Sequence, residues 1–361
     1  MKMNHQKYDA CENKLSGIIV DGNISEDNNN NADVDNIVEG MNTMNLIGSN
    51  KCAACGKGGD NLKACTACKS VTYCNAKCRN AHRPKHKKEC KKLAAERKLQ
   101  DTIWNMNKME ISDEMLFAEP PPKEDCPICM QPIPYAIGLC GVYTMYMACC
   151  GKRLCQGCVK AAEEEVKKGN MKDCCAFCRQ ASSPDSEKRL ERVHIRMKLN
   201  DGGAFAWLGS VMSGGTQGLL QDKNKAIKLW NKAADLGSVK AHNSLAWAYE
   251  NGEGVEKDVN KAIHHYKAAA MGGHEYARYA LGTAEEANGN MNKAMKHYMI
   301  AARSGYDKAL EEVGKGYKHG LVTKDEYAST LRVYQDSAEE MKSEQRSTAH
   351  AYRRLHTPET L

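Results

Sequence analysis

Sixteen side chains in eight close pairs constrain this chain more than any other feature. Cys52-x2-Cys55, Cys65-x2-Cys68, Cys74-x3-Cys78 and His86-x3-Cys90 form one block. Cys126-x2-Cys129, the adjacent Cys149 and Cys150, Cys155-x2-Cys158 and Cys175-x2-Cys178 form a second. Each pair lets two thiolates, or an imidazole and a thiolate, converge on one tetrahedral ion. The x2 pairs suit tight turns, and the x3 pairs set both ligands on one face of a helical turn. Eight ligands per block make two Zn2+ sites, four ions in all. The first block has few apolar residues, mostly Ala, so the metal has to supply most of its folding free energy, roughly 10–16 kcal/mol per structural zinc.

The competing use of so many cysteines is a disulfide framework, which needs an oxidising compartment. The N-terminal MKMNHQKYDACENK has no apolar stretch behind its charges, so no secretory leader is visible. No run of about 18 apolar residues exists to cross a membrane. The expected setting is the cytoplasm, the nucleus or both, with thiols reduced. Of the 18 cysteines only Cys11, Cys140 and Cys174 fall outside the pairs. Cys140 or Cys174 could stand in for an assigned ligand of the second block.

Charge and composition divide the chain. Residues 1–50 hold 11 Asn and 8 acids against 3 lysines, and read as a disordered acidic tail. Residues 51–100 carry 14 Lys and Arg against 3 acids. From Lys91 to about Phe117 the sequence reads as helix, stopped by Pro120–Pro122, so 91–122 is a helical and proline-containing linker. The second block occupies 123–182. Leu190, Val193 and Met197 then mark one face of a linker helix within 183–203.

From about Ala204 cysteine disappears and a period of 36–37 residues sets in. Lys225-Ala226, Trp230, Ala233-Ala234 and Gly237 return as Lys261-Ala262, Tyr266, Ala269-Ala270 and Gly273, 36 residues on. They return again as Lys293-Ala294, Tyr298, Ala301-Ala302 and Gly305. A degenerate fourth unit holds Ala309, Val313-Gly314, Tyr317 and Gly320, followed by a capping helix from about Lys324 to Ala338. Ala lets paired helices approach closely, the ring fills the gap to the next pair, and Gly ends each helix in the left-handed conformation. The array spans 204–340, and 341–361 reads as a C-terminal tail. His264, His265, His274 and His297 show no ligand spacing with cysteine and are expected at the surface or lining a groove.

Three resemblances follow. The first block, with YCNAKC and HKKEC, resembles a MYND-type zinc finger. This implies interleaved ligands: Cys52, Cys55, Cys74 and Cys78 on one ion, and Cys65, Cys68, His86 and Cys90 on the other. It also implies a groove for peptides, although the tryptophan that helps build that groove is replaced by Arg83. His82 is expected to be a solvated surface residue. The second block, with CPIC, CCGKRLCQGC and CAFCR, resembles an all-cysteine RING-type finger. That implies a cross-brace, with Cys126, Cys129, Cys155 and Cys158 on one ion and Cys149, Cys150, Cys175 and Cys178 on the other. Lys152 stands where the family has histidine, and Cys149 supplies the ligand. The helical array resembles Sel-one-like repeats, relatives of tetratricopeptide repeats, which implies a concave protein-binding surface.

The expected fold is a short superhelical α-helical repeat, preceded by two small cross-brace zinc modules and the tail. The RING resemblance implies a ubiquitin ligase or ligase subunit, with no nucleophile of its own. It would hold a ubiquitin-conjugating enzyme by Ile128, Phe177 and Arg179 and act by positioning and preorganised electrostatics. Ala162 and Ala176 depart from that family's contact residues. The repeats would hold a client, and the first finger a peptide or an acidic partner. A non-enzymatic adaptor built of the same modules is the alternative. A nucleic-acid-associated factor using the basic stretch is the second alternative, although Tyr73 is the stretch's lone aromatic. A methyltransferase linked to the first finger is a poor candidate, because 91–361 leave no room for its catalytic domain beside the second finger and the repeats.

Overall fold

The structure, a computed structural model, describes residues 52–57, 63–65, 72–88, 90–91, 111–135, 143–182 and 185–356. The tail expected over 1–50, Cys11, Cys68, Cys140 and most of the helix expected from Lys91 lie outside the described residues.

The first finger is built from two-residue strands. β1 (Lys63–Ala64) pairs antiparallel with β2 (Thr72–Tyr73), and a helix, α1, covers 76–88. Its core is one ring and two sulfurs: Tyr73 packs with Cys52 and Cys65. A cluster that small buries too little apolar surface to fold unaided.

The helix expected to run through to Phe117 is interrupted. Ser112 is extended (φ −65°, ψ 155°), and its hydroxyl accepts from the Met115 amide. It thereby starts a separate one-turn helix, α2 (Asp113–Leu116). A serine that can satisfy an orphan helix amide favours a start over a continuation.

In the second finger, β3 (Thr144–Met147) pairs antiparallel with β4 (Lys152–Cys155) in the register Thr144 to Cys155 and Met147 to Lys152. The hairpin turn carries Cys149 and Cys150. α3 (Gln156–Lys167) follows directly, with the Cys155 sulfur accepting from the Cys158 amide at its N-terminus. α4 (Ser186–Lys198) is capped by Asp185. It buries Val193 and Met197 completely and half-buries Leu190, the face its spacing predicts.

The repeats form helix pairs: α5 (Gly202–Gly214) with α6 (Lys223–Asp235), α7 (Val239–Asn251) with α8 (Val259–Met271), and α9 (Glu275–Ala287) with α10 (Met291–Arg303). α11 (Asp307–Lys318) and the longer α12 (Lys324–Glu340) close the array. The starts are set by side-chain caps from Asp201, Asp222, Ser238 and Asp258, and by a capping box of Thr323 with Glu326. Gly237, Gly273, Gly305 and Gly320 all have positive φ just beyond helix ends. The seams are alanine: Ala226, Ala233, Ala241, Ala269, Ala294 and Ala302 are almost fully buried. A ring-to-carboxylate hydrogen bond recurs between paired helices, Tyr266 to Glu250 and Tyr298 to Glu286, both 2.7 Å.

Close approach is tight at Gly282, where an added Cβ would lie 2.4 Å from Tyr298 Cε1. That ring is fully buried and anchored to Glu286, so it cannot retreat. Gly282→Ala should therefore cost the array about 1–3 kcal/mol. A urea titration would read this as a lower midpoint with an unchanged slope. A midpoint equal to the parent's would mean that the ring yields freely.

The segment 341–361, read as a tail, contains a further helix, α13 (Glu344–His356), that packs on α3 of the second finger. Among the described residues, no helix is long and apolar enough to cross a membrane.

Candidate metal centres

Three of the x2 pairs, Cys52–Cys55, Cys126–Cys129 and Cys175–Cys178, sit on the same backbone device. In the second finger, the Met130 amide donates to the Cys126 carbonyl and the Cys126 amide to the Gln131 carbonyl. Arg179, Cys175 and Gln180 repeat this pattern, as do Gly56, Cys52 and Lys57 in the first finger. The turn needs a left-handed residue at one place. Gly56 takes it without strain, while Met130 (φ 54°) and Arg179 (φ 61°) adopt it as L-residues. Non-glycine residues held there by flanking cysteines indicate that the cluster stabilises the turn.

The turns bring the sulfurs together in interleaved sets. Cys126, Cys129, Cys155 and Cys158 form one cluster, and Cys149, Cys150, Cys175 and Cys178 another. Cys52, Cys55, Cys74 and Cys78 form a third. In each, the ligand atoms lie within 4.8 Å of one another. Cys65, His86 and Cys90 form a fourth group; Cys68, expected with them, lies outside the described residues. Cys174 is half-buried outside the Cys149 cluster, and Lys152 is exposed at the start of β4.

The distances distinguish metal from disulfide. Sulfur pairs stand 3.7 Å apart for Cys55 and Cys74, 3.6 Å for Cys65 and Cys90, 3.9 Å for Cys126 and Cys158, 3.8 Å for Cys129 and Cys155, and 3.5 Å for Cys149 and Cys178. A tetrahedron with zinc–sulfur bonds of about 2.3 Å has edges of about 3.8 Å. A disulfide needs about 2.05 Å. The donor sets therefore fit tetrahedral zinc.

Ionisation points the same way. The Cys129, Cys155 and Cys158 thiols hold Cys126 far below the ordinary thiol range, while Cys126 and Cys129 push Cys158 far above it. Cys149 and Cys150 likewise pull Cys175 down, and Cys150 and Cys175 push Cys149 up. Crowded thiols ionise at their neighbours' expense. A divalent cation removes that conflict and lets every sulfur ionise.

The cysteine spacing gave no sign of the C-terminal contribution. Arg346 of α13 is only 4% exposed and is driven against the first cluster of the second finger. It donates to the carbonyls of Pro132 (2.9 Å), Gln131 (3.1 Å) and Met341 (2.9 Å), and to Cys129 Sγ (3.4 Å). Met341 is fully buried in the same core as Cys126, Cys155 and Cys158. Four thiolates on one Zn2+ would leave a net charge of about −2, which a buried guanidinium would offset in part. Gly157 makes this docking possible, since a Cβ there would meet the Arg346 amide nitrogen at 2.9 Å.

The structure places the residues expected to contact a conjugating enzyme as follows. Ile128 (38% exposed) and Phe177 (40%) project from the two turns of the second finger. Arg179 is exposed, with its guanidinium at the Met171 sulfur. Ala162 is half-buried on α3, and Ala176 packs against the core.

Several side chains depart from expectation. His82 is half-buried rather than solvated: its Nδ1 lies 3.1 Å from the Tyr73 hydroxyl and its ring stacks on His86. The Tyr73 ring is itself buried and offers no stacking platform. On α1, Lys77, Arg79, Arg83, Lys85, Lys87 and Lys88 are exposed. His265, His274 and His297 are buried, not superficial, because small alanines leave room that an imidazole fills. His265 and His242 meet Nδ1 to Nδ1 at 3.1 Å, and half-buried His264 lies edge-on to His265. His274 caps α9 by accepting from the Ala277 amide, the task Ser238 performs one repeat earlier.

Two parts of the chain match known protein families. The MYND finger family matches residues 52–90, and the Sel1 repeat family matches 206–238, 239–274 and 276–306. No curated protein matches the chain. Among solved structures, a Sel1 repeat protein from Oxalobacter formigenes is 27% identical, over 45% of this chain and 68% of that one, with a TM-score of 0.38. A protective antigen of uropathogenic Escherichia coli with an SLR fold is 19% identical, over 48% and 43%, with a TM-score of 0.38. Immunity protein Pa5087 from Pseudomonas aeruginosa is 17% identical, over 51% and 83%, with a TM-score of 0.26. The chain thus joins a zinc-binding MYND finger to Sel1 repeats, both protein-interaction modules.

Proposed function

We propose that this zinc-binding interaction protein is a RING-type ubiquitin ligase or ligase subunit, with four Zn2+ ions, two per finger. Cys68 is the fourth ligand beside Cys65, His86 and Cys90. The zinc is structural: it fixes the turns and takes no part in group transfer. The observation that carries the reading is the pair of exposed apolar side chains, Ile128 and Phe177, one on each metal-held turn of the second finger. Large apolar residues held outward on rigid turns have no packing role of their own and suit a partner. They, with Arg179, would seat a conjugating enzyme and hold its thioester in a reactive pose. The repeats would hold the client. The exposed basic side of α1 suits an acidic partner, while burial of Tyr73 removes the aromatic support that single-stranded nucleic acid would use.

Zinc-loaded protein with ubiquitin, activating enzyme and a panel of conjugating enzymes should build ubiquitin chains. Arg179→Ala should lower the rate at least tenfold with metal content unchanged. No chains with any member of the panel would overturn the reading. That outcome would favour the non-enzymatic adaptor, which draws support from Ala162 and Ala176, neither of which offers a bulky contact on the finger's surface.

A further inference from the structure

Residues 111–123, between the two fingers, lie against the part of the repeat array formed by α8, α9 and α10. Leu116 is 2% exposed and sits in a cluster with Tyr266, Ala269, Ala270, Ala277 and Leu281. Its carbonyl accepts from the guanidinium of Arg278, which also donates to the Ala270 carbonyl at 2.9 Å. Arg278 is buried and pairs with no carboxylate among the described residues; burial lowers its pKa to about 10. Asp113 meets Lys293 at 2.7 Å, and that lysine holds its carboxyl below the ordinary range. The Phe117 ring lies 4.7 Å from the His297 ring, with the Lys296 ammonium 5.5 Å over it. His297 is fully buried, and neither ring nitrogen has a hydrogen-bond partner among the described residues. Pro121 rests on Gly273.

These contacts form a set of recognition elements. An ammonium receives an acid, an alanine-lined pocket receives leucine three residues on, a guanidinium takes that leucine's carbonyl, and an imidazole–lysine shelf takes the next aromatic ring. Such a combination of charge, apolar anchor and captured carbonyl characterises peptide recognition. The occupant has little structure of its own, since α2 is one turn of four residues and an isolated turn is unstable in water. Its order comes from the site. One of its contacts is at the rim: Asp113 and Lys293, which pair with each other, are both exposed. The two unpaired nitrogens of His297 are unused binding capacity under Phe117.

We propose that the α8–α10 face is a docking site for a partner protein's segment of the form acid-x-x-Leu-aromatic, and that residues 111–123 are its resident, displaceable occupant. A tethered occupant acts at an effective concentration on the order of millimolar, so a partner binds weakly until the strap is released. Release would also free the connection between the two fingers. The inference needs only the repeats as an interaction surface, so the outcome of the ubiquitination assay does not bear on it.

The test uses the full zinc-loaded chain and a fluorescent synthetic peptide of the sequence ISDEMLFAEPPPK. A Leu116→Ser/Phe117→Ser double variant, which empties the site, should bind the peptide at least tenfold more tightly than the parent. Adding Lys293→Glu should weaken that binding several-fold, and a peptide carrying Asp113→Lys should recover it. Equal binding by parent and double variant, with cooperative unfolding retained, would overturn the proposal. If the double variant does not fold, hydrogen exchange on the parent decides. Millimolar peptide should speed exchange at the Met115–Phe117 amides and leave α8 to α10 unchanged, and no acceleration rejects a displaceable strap.

Discussion

Removing zinc with a strong chelator should unfold both fingers and leave the repeats standing. Each four-ligand site contributes roughly 10–16 kcal/mol to a module of its size, more than the whole stability of an ordinary domain. The first finger packs only Tyr73 with Cys52 and Cys65, and cannot survive the loss. The second has more to lose. Its core joins Cys126, Cys155 and Cys158 to Ile133, Leu154 and Met341, so chelation should also release α13, which is docked through Arg346. Elemental analysis should give four zinc ions per chain. After chelation, limited proteolysis should cut around residues 341–346 while the segment from α5 to α11 stays intact. Cys155→Ala should lose one ion and free α13 in the same way. A metal content near zero, or a chelated protein with unchanged proteolysis, would refute the assignment.

Acid should weaken the repeat array through its buried histidines. Unfolded imidazoles take up a proton near pH 6.5, to within about a unit. In the fold, burial first and then the nearby His264 hold His242 at about 4. Burial, with Lys240 and Arg153, holds His274 at about 3. Burial, with Arg278 and Lys267, holds His297 at about 3. The folded values are depressed, so over this window the unfolded chain binds more protons and acid favours it. Stability is complete above about pH 7, falls as pH drops through 6.5, and the loss stops growing only below the folded values. At pH 5 each histidine contributes up to about 2 kcal/mol of that loss. Zinc sites also weaken in acid, so the comparison has to be made within the array. His297→Leu removes one proton-binding group at a site with no hydrogen bond to lose among the described residues. Relative to the parent, the variant should gain up to about 2 kcal/mol between pH 7.5 and pH 5 in urea titrations of the array. Parallel pH profiles for the two proteins would exclude His297 as a source of acid sensitivity.

Legibility in the sequence followed the range of the forces involved. The interleaved sulfurs could be proposed from spacing and family resemblance because ligand pairs are local and zinc geometry is fixed. The repeats could be read from Ala, ring and Gly positions because each helix pair meets the next in the same way. The long helix expected up to Phe117 did not take account of Ser112, a local cap signal that the sequence did contain. His265, His274 and His297 were misplaced for a different reason. An imidazole suits water or a tight interior equally well, and only the neighbours' shapes decide between them.

The sequence by itself determined where metal could bind, where the helical array runs and where its helices end, because these depend on residues a few positions apart. Tertiary structure alone decided that Arg346 closes on Cys129 and that Leu116 fills an alanine-lined pocket under Arg278. Those contacts join residues more than 150 positions apart, and no periodicity or short spacing encodes such a meeting. They depend on which surfaces remain to be covered once the fingers and the repeats have formed.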